Sequence, residues 1–489
     1  MKNRLRFLKE YGILGLVSLL ACTLFLGFSF RTAGLGFPLD DAWIHQAFAR
    51  NFSESLTWSF QLGTASGGST GPLWGFVLSL LYFFGIPEVW GTHFLGFLLL
   101  WGCSITGFHI ARILFPGSKF VPTLTGIMIS LEWHLVWSAL SGMETTLFIL
   151  LLLLVFKWIL EKRDDFWIPG ILTGISIWVR PDGITLLGPV LLSLMFRKEA
   201  VRGTLGQAGI YLGSLLLVVG PYFLFNHFVA GDIWPNTFYA KQAEYELLRQ
   251  SGIVARFIDL GKQVVTGIGI ILLPGLILEA VDIIKNKDWE RAGILFWAVG
   301  YIGIYALRLP VIYQHGRYIM PAIPAYLLLG GSGLARWIGT RSTFRWKRVF
   351  NAVWGGSAAG VLGIFWILGA RAYALDVGVI ETEMVQVALW INENTPPNAV
   401  IGAHDIGGLG YYGEREIIDL AGLISPDVIP FIRDQKQLTD YLDEKGADYL
   451  VTFPSWYPEM VQELELIHQG NGKYSDLFGM DQMSVFVWK

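Results

Sequence analysis

The chain has 489 residues, 53% of them apolar and 15% charged, with a mean hydropathy of +0.50. Soluble domains carry about a quarter charged residues, so a wholly water-soluble architecture is excluded and most of the chain is solvated by lipid. The formal net charge of −3 hides an asymmetry: residues 371–489 hold 19 acidic and 7 basic side chains, residues 1–370 hold 20 and 29. An acidic tail therefore follows a basic membrane part, and nucleic acid is excluded as its partner. The two cysteines, Cys22 and Cys103, sit in apolar runs and supply neither a disulfide framework nor a thiolate metal site.

Lys2, Arg4, Arg6 and Lys9 precede an apolar run over 11–30 that is long enough to span and has no A-x-A cleavage site. It reads as the first membrane helix, with its N-terminus in the cytoplasm. Further apolar runs lie near 91–111, 120–140, 145–160, 166–179, 183–196, 205–228, 263–283, 292–307, 319–338 and 349–370, predicting about eleven spans of a multi-pass plasma-membrane protein. The run 71–86 is assigned to the outer leaflet rather than to a crossing. With that choice the N-terminus and the loops near 112–119, 157–165, 197–202, 285–291 and 336–348 share the cytoplasmic side. They hold 20 of the 36 Lys and Arg, as the positive-inside rule requires. The expected organisation is a transmembrane domain over 1–370, whose first outer loop covers 31–90, and an extracytoplasmic α/β domain over 371–489.

Within that tail, helices are predicted over 381–394, 436–445 and 457–468, and strands over 399–403, 447–453 and 485–488. The glycine-rich stretch 402–413 lacks G-K-[ST] and reads as a turn or a substrate-facing loop, with His404-Asp405 as turn residues.

Candidate functional residues recur at the predicted outer mouths. Asp40 and Asp41 open the apolar-periodic helix AWIHQAFARNF, whose dipole favours ionised carboxylates at its start. Glu144, in SGMETT, heads another helix and is equally well explained by the dipole alone. Arg180, in RPDG, either pairs with Asp182 or holds a phosphate through its forked guanidinium. Lys241 in WPNTFYAK, and His315 and Arg317 in YQHGRY, are not explained by an interfacial aromatic belt and complete a cationic set with Arg180. Asp41, Glu144 and Arg180 are expected to converge on one cavity if the protein is an enzyme.

The order of LDDAWIHQAFARNF at 39–52, SGGSTGPLWGFVLSLLYFFGI at 66–86, SGMETTLF at 141–148, VRPDG at 179–183 and WPNTFYAK at 234–241 resembles the GT-C class of membrane glycosyltransferases. PNTFYAK and GMET resemble the branch containing mycobacterial arabinofuranosyltransferases. The tail text ALWINENTPPNAV, HDIGGLGYYG and IIDLAGL also looks like the extracytoplasmic domain of such proteins. The resemblance implies an α-helical polytopic fold and a polyprenyl-phosphate sugar donor. It also implies inversion at the anomeric carbon, and a glycan, lipid or protein acceptor in the cell envelope. It assigns the acidic role of the first loop to Asp40 and Asp41, with Asp41 as base. Glu144 takes a second acidic position, and Arg180 a donor-phosphate contact, by location.

The chemistry agrees with that assignment. A base must take the acceptor's proton, and cations must stabilise the departing phosphate. Asp40, Asp41 and Glu144 are also hard oxygen ligands that could hold a divalent cation. The alternative is a multispan transporter or flippase of lipid-linked sugars, which calls for mid-membrane ionisable groups and internal repeats.

Overall fold

The computed structural model describes residues 2–196, 201–339 and 345–488. Among the described residues four helices are long and apolar enough to cross a membrane: Phe7–Thr32, Glu88–Leu114, Gly203–Ala230 and Trp346–Asn394. A fifth crossing results if Ile253–Val265 and Ile268–Asn286, bent by 109° at their junction, count as one. The other apolar runs form shorter or less apolar helices, so the expected eleven do not each stand as a full-length span. Two of them are broken for local reasons. The run 120–140 divides at Glu132, whose extended backbone ends Val121–Leu131 and whose carboxylate accepts from the Leu135 N–H at 3.0 Å to start Trp133–Leu140. The run 183–196 begins as a 3₁₀ turn over Pro181–Leu186 before Leu187–Met195. Parts of two basic loops, 197–200 and 340–344, lie outside the described residues.

The first loop folds rather than dangling. Asp40–Ser55 is a helix buried on nearly every side, followed by a small hairpin of β1 (Ser59–Gln61) and β2 (Thr64–Ala65). The stretch 71–86 forms the 12-residue helix Pro72–Phe83, about 18 Å long at 1.5 Å per residue. That is short of a bilayer core of roughly 30 Å. Its Phe76 packs edge-on to Phe52 of the preceding helix, with ring centres 5.0 Å apart.

The helix Arg345–Val379 continues through a π-helical turn, Ile380–Val385, into Gln386–Asn394. The segment expected as a separate helix over 381–394 is thus the end of a long rod, and the boundary at residue 371 falls inside it. The tail then forms a five-stranded sheet of β3 (Val400–Ala403), β4 (Glu416–Asp419), β5 (Tyr449–Thr452), β6 (Glu465–Gln469) and β7 (Ser484–Val487). The spatial order is β4-β3-β5-β7-β6; the first three strands are parallel, and β7 runs antiparallel to β5 and β6. Strands β3, β5 and β7 and the helix Gln435–Lys445 lie where the sequence put them. The helix expected over 457–468 is corrected to a single turn, Pro458–Val461, followed by β6, because pairing with β7 outweighs a helix-compatible pattern.

One hydrophobic core joins the first loop to the tail. Phe37, Trp43, Phe48, Trp58 and Phe60 pack in a single buried cluster with Ile380, Ala388, Ile406, Leu409, Leu423 and Val485. Full burial of a large apolar side chain contributes about 1.5–3 kcal/mol, so this shared core holds the two segments as one unit.

Candidate active site

A cavity of 660 Å³ lies where the first loop, the helix Asn236–Glu244, the segment 311–318 and the tail meet. Its volume is within the roughly 300–1,000 Å³ of small-molecule sites. Asp40, Asp41, Lys241, His315 and Arg317 all line it, as do Glu244, Asp376, His404 and Asp405.

Each of these side chains is placed by local structure. The helix Asp40–Ser55 clamps the short helix Gly407–Tyr412 at both ends. Asp40 accepts from the Gly407 and Gly408 N–H groups at 2.6 and 2.8 Å, while Arg50 donates to the Tyr411 carbonyl at 2.8 Å. An acid at the N-terminus and a base at the C-terminus complement the dipole of the clamped helix. A Cβ on Gly407 would overlap the Asp40 carbonyl oxygen, which explains a glycine at that point. The glycine-rich stretch is therefore a docking element for Asp40, with His404 and Asp405 presented beside it.

Lys241 sits on the helix Asn236–Glu244, fixed by the Asn236 N–H donating to Gly67 at 3.1 Å and its side-chain amide donating to Leu423 at 3.2 Å. Gln314, His315 and Gly316 take left-handed backbone (φ 52°, 59° and 63°), which costs about 1–2 kcal/mol for each non-glycine residue. This turn brings His315 and Arg317 to the cavity wall. His315 Nε2 lies 2.8 Å from Asp376 Oδ2, which also accepts from Trp137 Nε1 at 2.8 Å, so the imidazole is tethered.

Asp41 is gripped by two cations, with Arg317 Nη2 at 2.7 Å and Lys241 Nζ at 3.2 Å. Burial opposes its ionisation, but Arg317 and Lys241 outweigh burial and hold the carboxyl well below the usual range. Arg317 also donates from Nη2 to the Tyr318 hydroxyl at 3.1 Å, while its Nε and Nη1 are buried without a hydrogen-bond partner among the described residues. Burial raises Asp40 above the ordinary carboxyl range against the lowering effect of the Gly408 and Gly407 N–H groups.

The sequence reading underrated His404 and Asp405. His404 Nδ1 lies 2.6 Å from the Tyr457 hydroxyl, and its Nε2 3.5 Å from Glu244. Burial disfavours its protonation, but Tyr457, Glu244 and Asp405 together raise its pKa. Asp405 lines the cavity with no hydrogen-bond or ion-pair partner among the described residues. Burial, then the charge of Asp40, push its carboxyl far above the ordinary range. No local pattern marks it, since the residues that create its environment lie in distant parts of the chain.

Glu144 and Arg180 do not line this cavity, which corrects the expected convergence. Glu144 meets His45, one turn beyond Asp41, at 3.2 Å. Arg180 Nη1 donates to Glu144 and to Thr145, each at 3.2 Å, Nε to Asp182 at 3.1 Å and Nη2 to the Tyr305 hydroxyl at 3.1 Å. Tyr305 and Tyr301 in turn donate to Asp182. Every guanidinium nitrogen of Arg180 is used by protein, so the cation of RPDG closes a buried network between helices.

The trio Asp40, Asp41 and Glu144 does not fit a metal ion. Two N–H donors occupy Asp40, two cations occupy Asp41, and Glu144 belongs to the other cluster. Among the described residues no group of three or more His, Cys, Asp or Glu is arranged to hold one.

Residues 374–486 match a family described as a domain of unknown function, DUF8728. No curated protein sequence matches the chain. Among solved structures, ArnT from Cupriavidus metallidurans bound to undecaprenyl phosphate is similar at a TM-score of 0.64 and 14% identity, over 98% of each chain. The archaeal oligosaccharyltransferase AglB from Archaeoglobus fulgidus, in complex with an inhibitory peptide and a dolichol-phosphate, gives 0.61 and 13% over 91% of this chain and 69% of its own. The arabinofuranosyltransferase AftD from Mycobacteria gives 0.53 and 17% over 96% of this chain and 41% of its own. These likenesses span both the helical part and the tail, and they show that the chain has the fold of the GT-C membrane glycosyltransferases.

Proposed function

We propose that the protein is an inverting glycosyltransferase that moves a sugar from a polyprenyl-phosphate donor to a glycan, lipid or protein acceptor of the cell envelope. In this reading the reaction lies at the outer membrane face, with the N-terminus cytoplasmic and the tail extracytoplasmic. The observation that carries it is Arg317. Its guanidinium and the Lys241 ammonium line one cavity of ligand size, and both are held on Asp41, at 2.7 and 3.2 Å, so that wall carries two positive charges for an anion. A departing phosphate is an anion that such a pair of cations stabilises, and the fold is shared with ArnT bound to undecaprenyl phosphate and AglB in complex with a dolichol-phosphate.

In the proposed reaction Lys241 and Arg317 hold the donor phosphate and stabilise the charge it gains on leaving. His315 and its tether Asp376 form part of the same wall. Asp41 aligns the two cations. The base role expected for it is disfavoured by the same ion pairs, because a carboxylate held ionised by two cations has little affinity for a proton. Arg180 and Glu144 act one turn further along the first-loop helix, through His45, fixing its position. Inversion follows if the acceptor oxygen attacks the anomeric carbon directly, with an oxocarbenium-like transition state. Transport or flipping of the lipid-linked sugar finds no support, since Lys241 and Arg317 line a cavity walled by the first loop, the segment 311–318 and the tail.

The test is incubation of the purified full chain with a panel of undecaprenyl-phosphate sugars and envelope glycan acceptors, reading released undecaprenyl phosphate and glycosylated acceptor by mass spectrometry. Transfer from at least one donor is expected, with inverted anomeric configuration in the product. Movement of intact donor across vesicles without transfer would replace the reading by the flippase.

A further inference from the structure

Five carboxylates line the cavity: Asp40, Asp41, Glu244, Asp376 and Asp405. Four are committed. Asp40 accepts from two backbone N–H groups, Asp41 is paired with Lys241 and Arg317, Glu244 faces His404, and Asp376 holds His315 and Trp137. Asp405 alone has neither a hydrogen-bond nor an ion-pair partner among the described residues. A half-buried carboxylate that faces a cavity and has no protein partner among the described residues is costly to keep, and such groups cluster at functional sites.

The fold nevertheless fixes it firmly. Two residues beyond it, Gly407 is locked to Asp40, and one residue before it His404 is held between Tyr457 and Glu244. The exposed Trp456 edge packs against the His404 ring, with centres 4.9 Å apart, and lines the same cavity. The carboxylate is thus held from both sides of the chain while its own oxygens are left for a ligand.

We propose that Asp405, supplied by the tail, is the general base that takes the acceptor's hydroxyl proton. This rests on the transferase reading above. As the acceptor oxygen forms its bond to the anomeric carbon, the bond from that carbon to the donor phosphate oxygen breaks. The electron pair leaves on the phosphate held by Lys241 and Arg317, and the hydroxyl proton passes to the Asp405 carboxylate. The products are glycosylated acceptor and polyprenyl phosphate, and Asp405 returns its proton to water. Asp40 and Gly407 are positioning residues for this base. Burial and the neighbouring Asp40 raise the proton affinity of Asp405, with Asp41 and Glu244 adding to it and His404 opposing. A base of raised pKa is a stronger proton acceptor near neutrality than Asp41.

The experiment compares wild type, Asp405→Asn and Asp405→Glu as full-length purified proteins in three measurements. The first is binding of undecaprenyl phosphate, the second kcat with the undecaprenyl-phosphate sugar panel, and the third the thermal midpoint across pH. Asp405→Asn is expected to bind undecaprenyl phosphate as wild type does and to lose about 100-fold or more in kcat. Asp405→Glu should recover part of that loss. Because the folded pKa is raised, the carboxyl adds stability only while protonated, and that contribution is lost as pH rises through the folded value. Asp405→Asn should therefore melt higher than wild type at neutral and alkaline pH, with the gap closing in acid. In wild type, kcat should fall as pH is lowered through the same range, and the residual activity of Asp405→Asn should lack that limb. An Asp405→Asn protein with wild-type kcat overturns the base assignment alone. One that melts lower at neutral pH and loses kcat in proportion makes Asp405 structural and overturns it too. A wild type that binds undecaprenyl phosphate yet transfers from no donor overturns the transferase reading, and the proposal with it.

Discussion

Two charged clusters meet the helix Asp40–Ser55 one turn apart, at Asp41 and His45, and they solve the same electrostatic problem in opposite ways. Around Arg180, every guanidinium nitrogen meets Glu144, Thr145, Asp182 or Tyr305, and side-chain exposure is only 7%. Around Arg317, nearly as buried at 11%, the guanidinium gives Nη2 to Asp41 and Tyr318 and leaves Nε and Nη1 without partners among the described residues. The difference is one of saturation rather than depth. A closed network gains its value from geometry within the protein, whereas an open one carries a desolvation cost that a ligand can relieve.

The largest effect that sharpens this contrast is Arg180→Ala. Removing the cation leaves Glu144 with His45 and Asp182 with only the Tyr301 and Tyr305 hydroxyls, and breaking a buried charge network of this kind costs about 3–5 kcal/mol. Chemical denaturation in detergent should show that loss, while undecaprenyl phosphate binding per folded molecule stays at the wild-type value. Arg317→Ala should do the reverse. Its stability changes little by comparison, because it releases Asp41 to Lys241, but turnover should fall by about 10²–10³, the usual cost of removing one donor to a developing anion. Equal stability losses in the two variants would erase the distinction.

Asp40→Ala addresses the clamp between loop and tail. It leaves the Gly407 and Gly408 N–H groups without their acceptor, at a cost of about 1–3 kcal/mol. Limited proteolysis should then release the tail faster, and Gly407→Ala should reproduce the effect because its Cβ meets Asp40. The smallest effect is expected for Asp41→Asn. It removes the anion that competes for Lys241 and Arg317, so undecaprenyl phosphate should bind at least as tightly as to wild type. Weaker binding by this variant would show that Asp41 alignment of the two cations outweighs competition.

Much of the fold was legible in the sequence because it rests on runs and periods. The basic N-terminus and first span, the helix begun by Asp40 and Asp41, and three of the tail strands follow from local hydrophobic pattern. The strand Glu465–Gln469 was not, since its residues read equally well as helix until Ser484–Val487 pairs with it. Nor was Glu416–Asp419, a short strand defined by its parallel neighbour Val400–Ala403. Lys241, His315 and Arg317 could be singled out as cations that a membrane surface does not explain. What the sequence could not reveal is which cations are already spent. Arg180 and Arg317 look alike in their motifs, and only the positions of Tyr305, Thr145 and Glu144 separate them. Asp405 was hidden for the same reason, as its significance lies in lacking partners that its neighbours have.

If the open cluster is the donor-phosphate site, undecaprenyl phosphate must seat its headgroup there. Cryo-electron microscopy of the full chain in nanodiscs with undecaprenyl phosphate tests it most directly. Phosphate density is expected inside the cavity, within hydrogen-bond reach of the Arg317 guanidinium and of Lys241, with the Arg180 network unchanged. Phosphate seated on Arg180, or bound outside the cavity with Arg317 still holding only Asp41 and Tyr318, would contradict it.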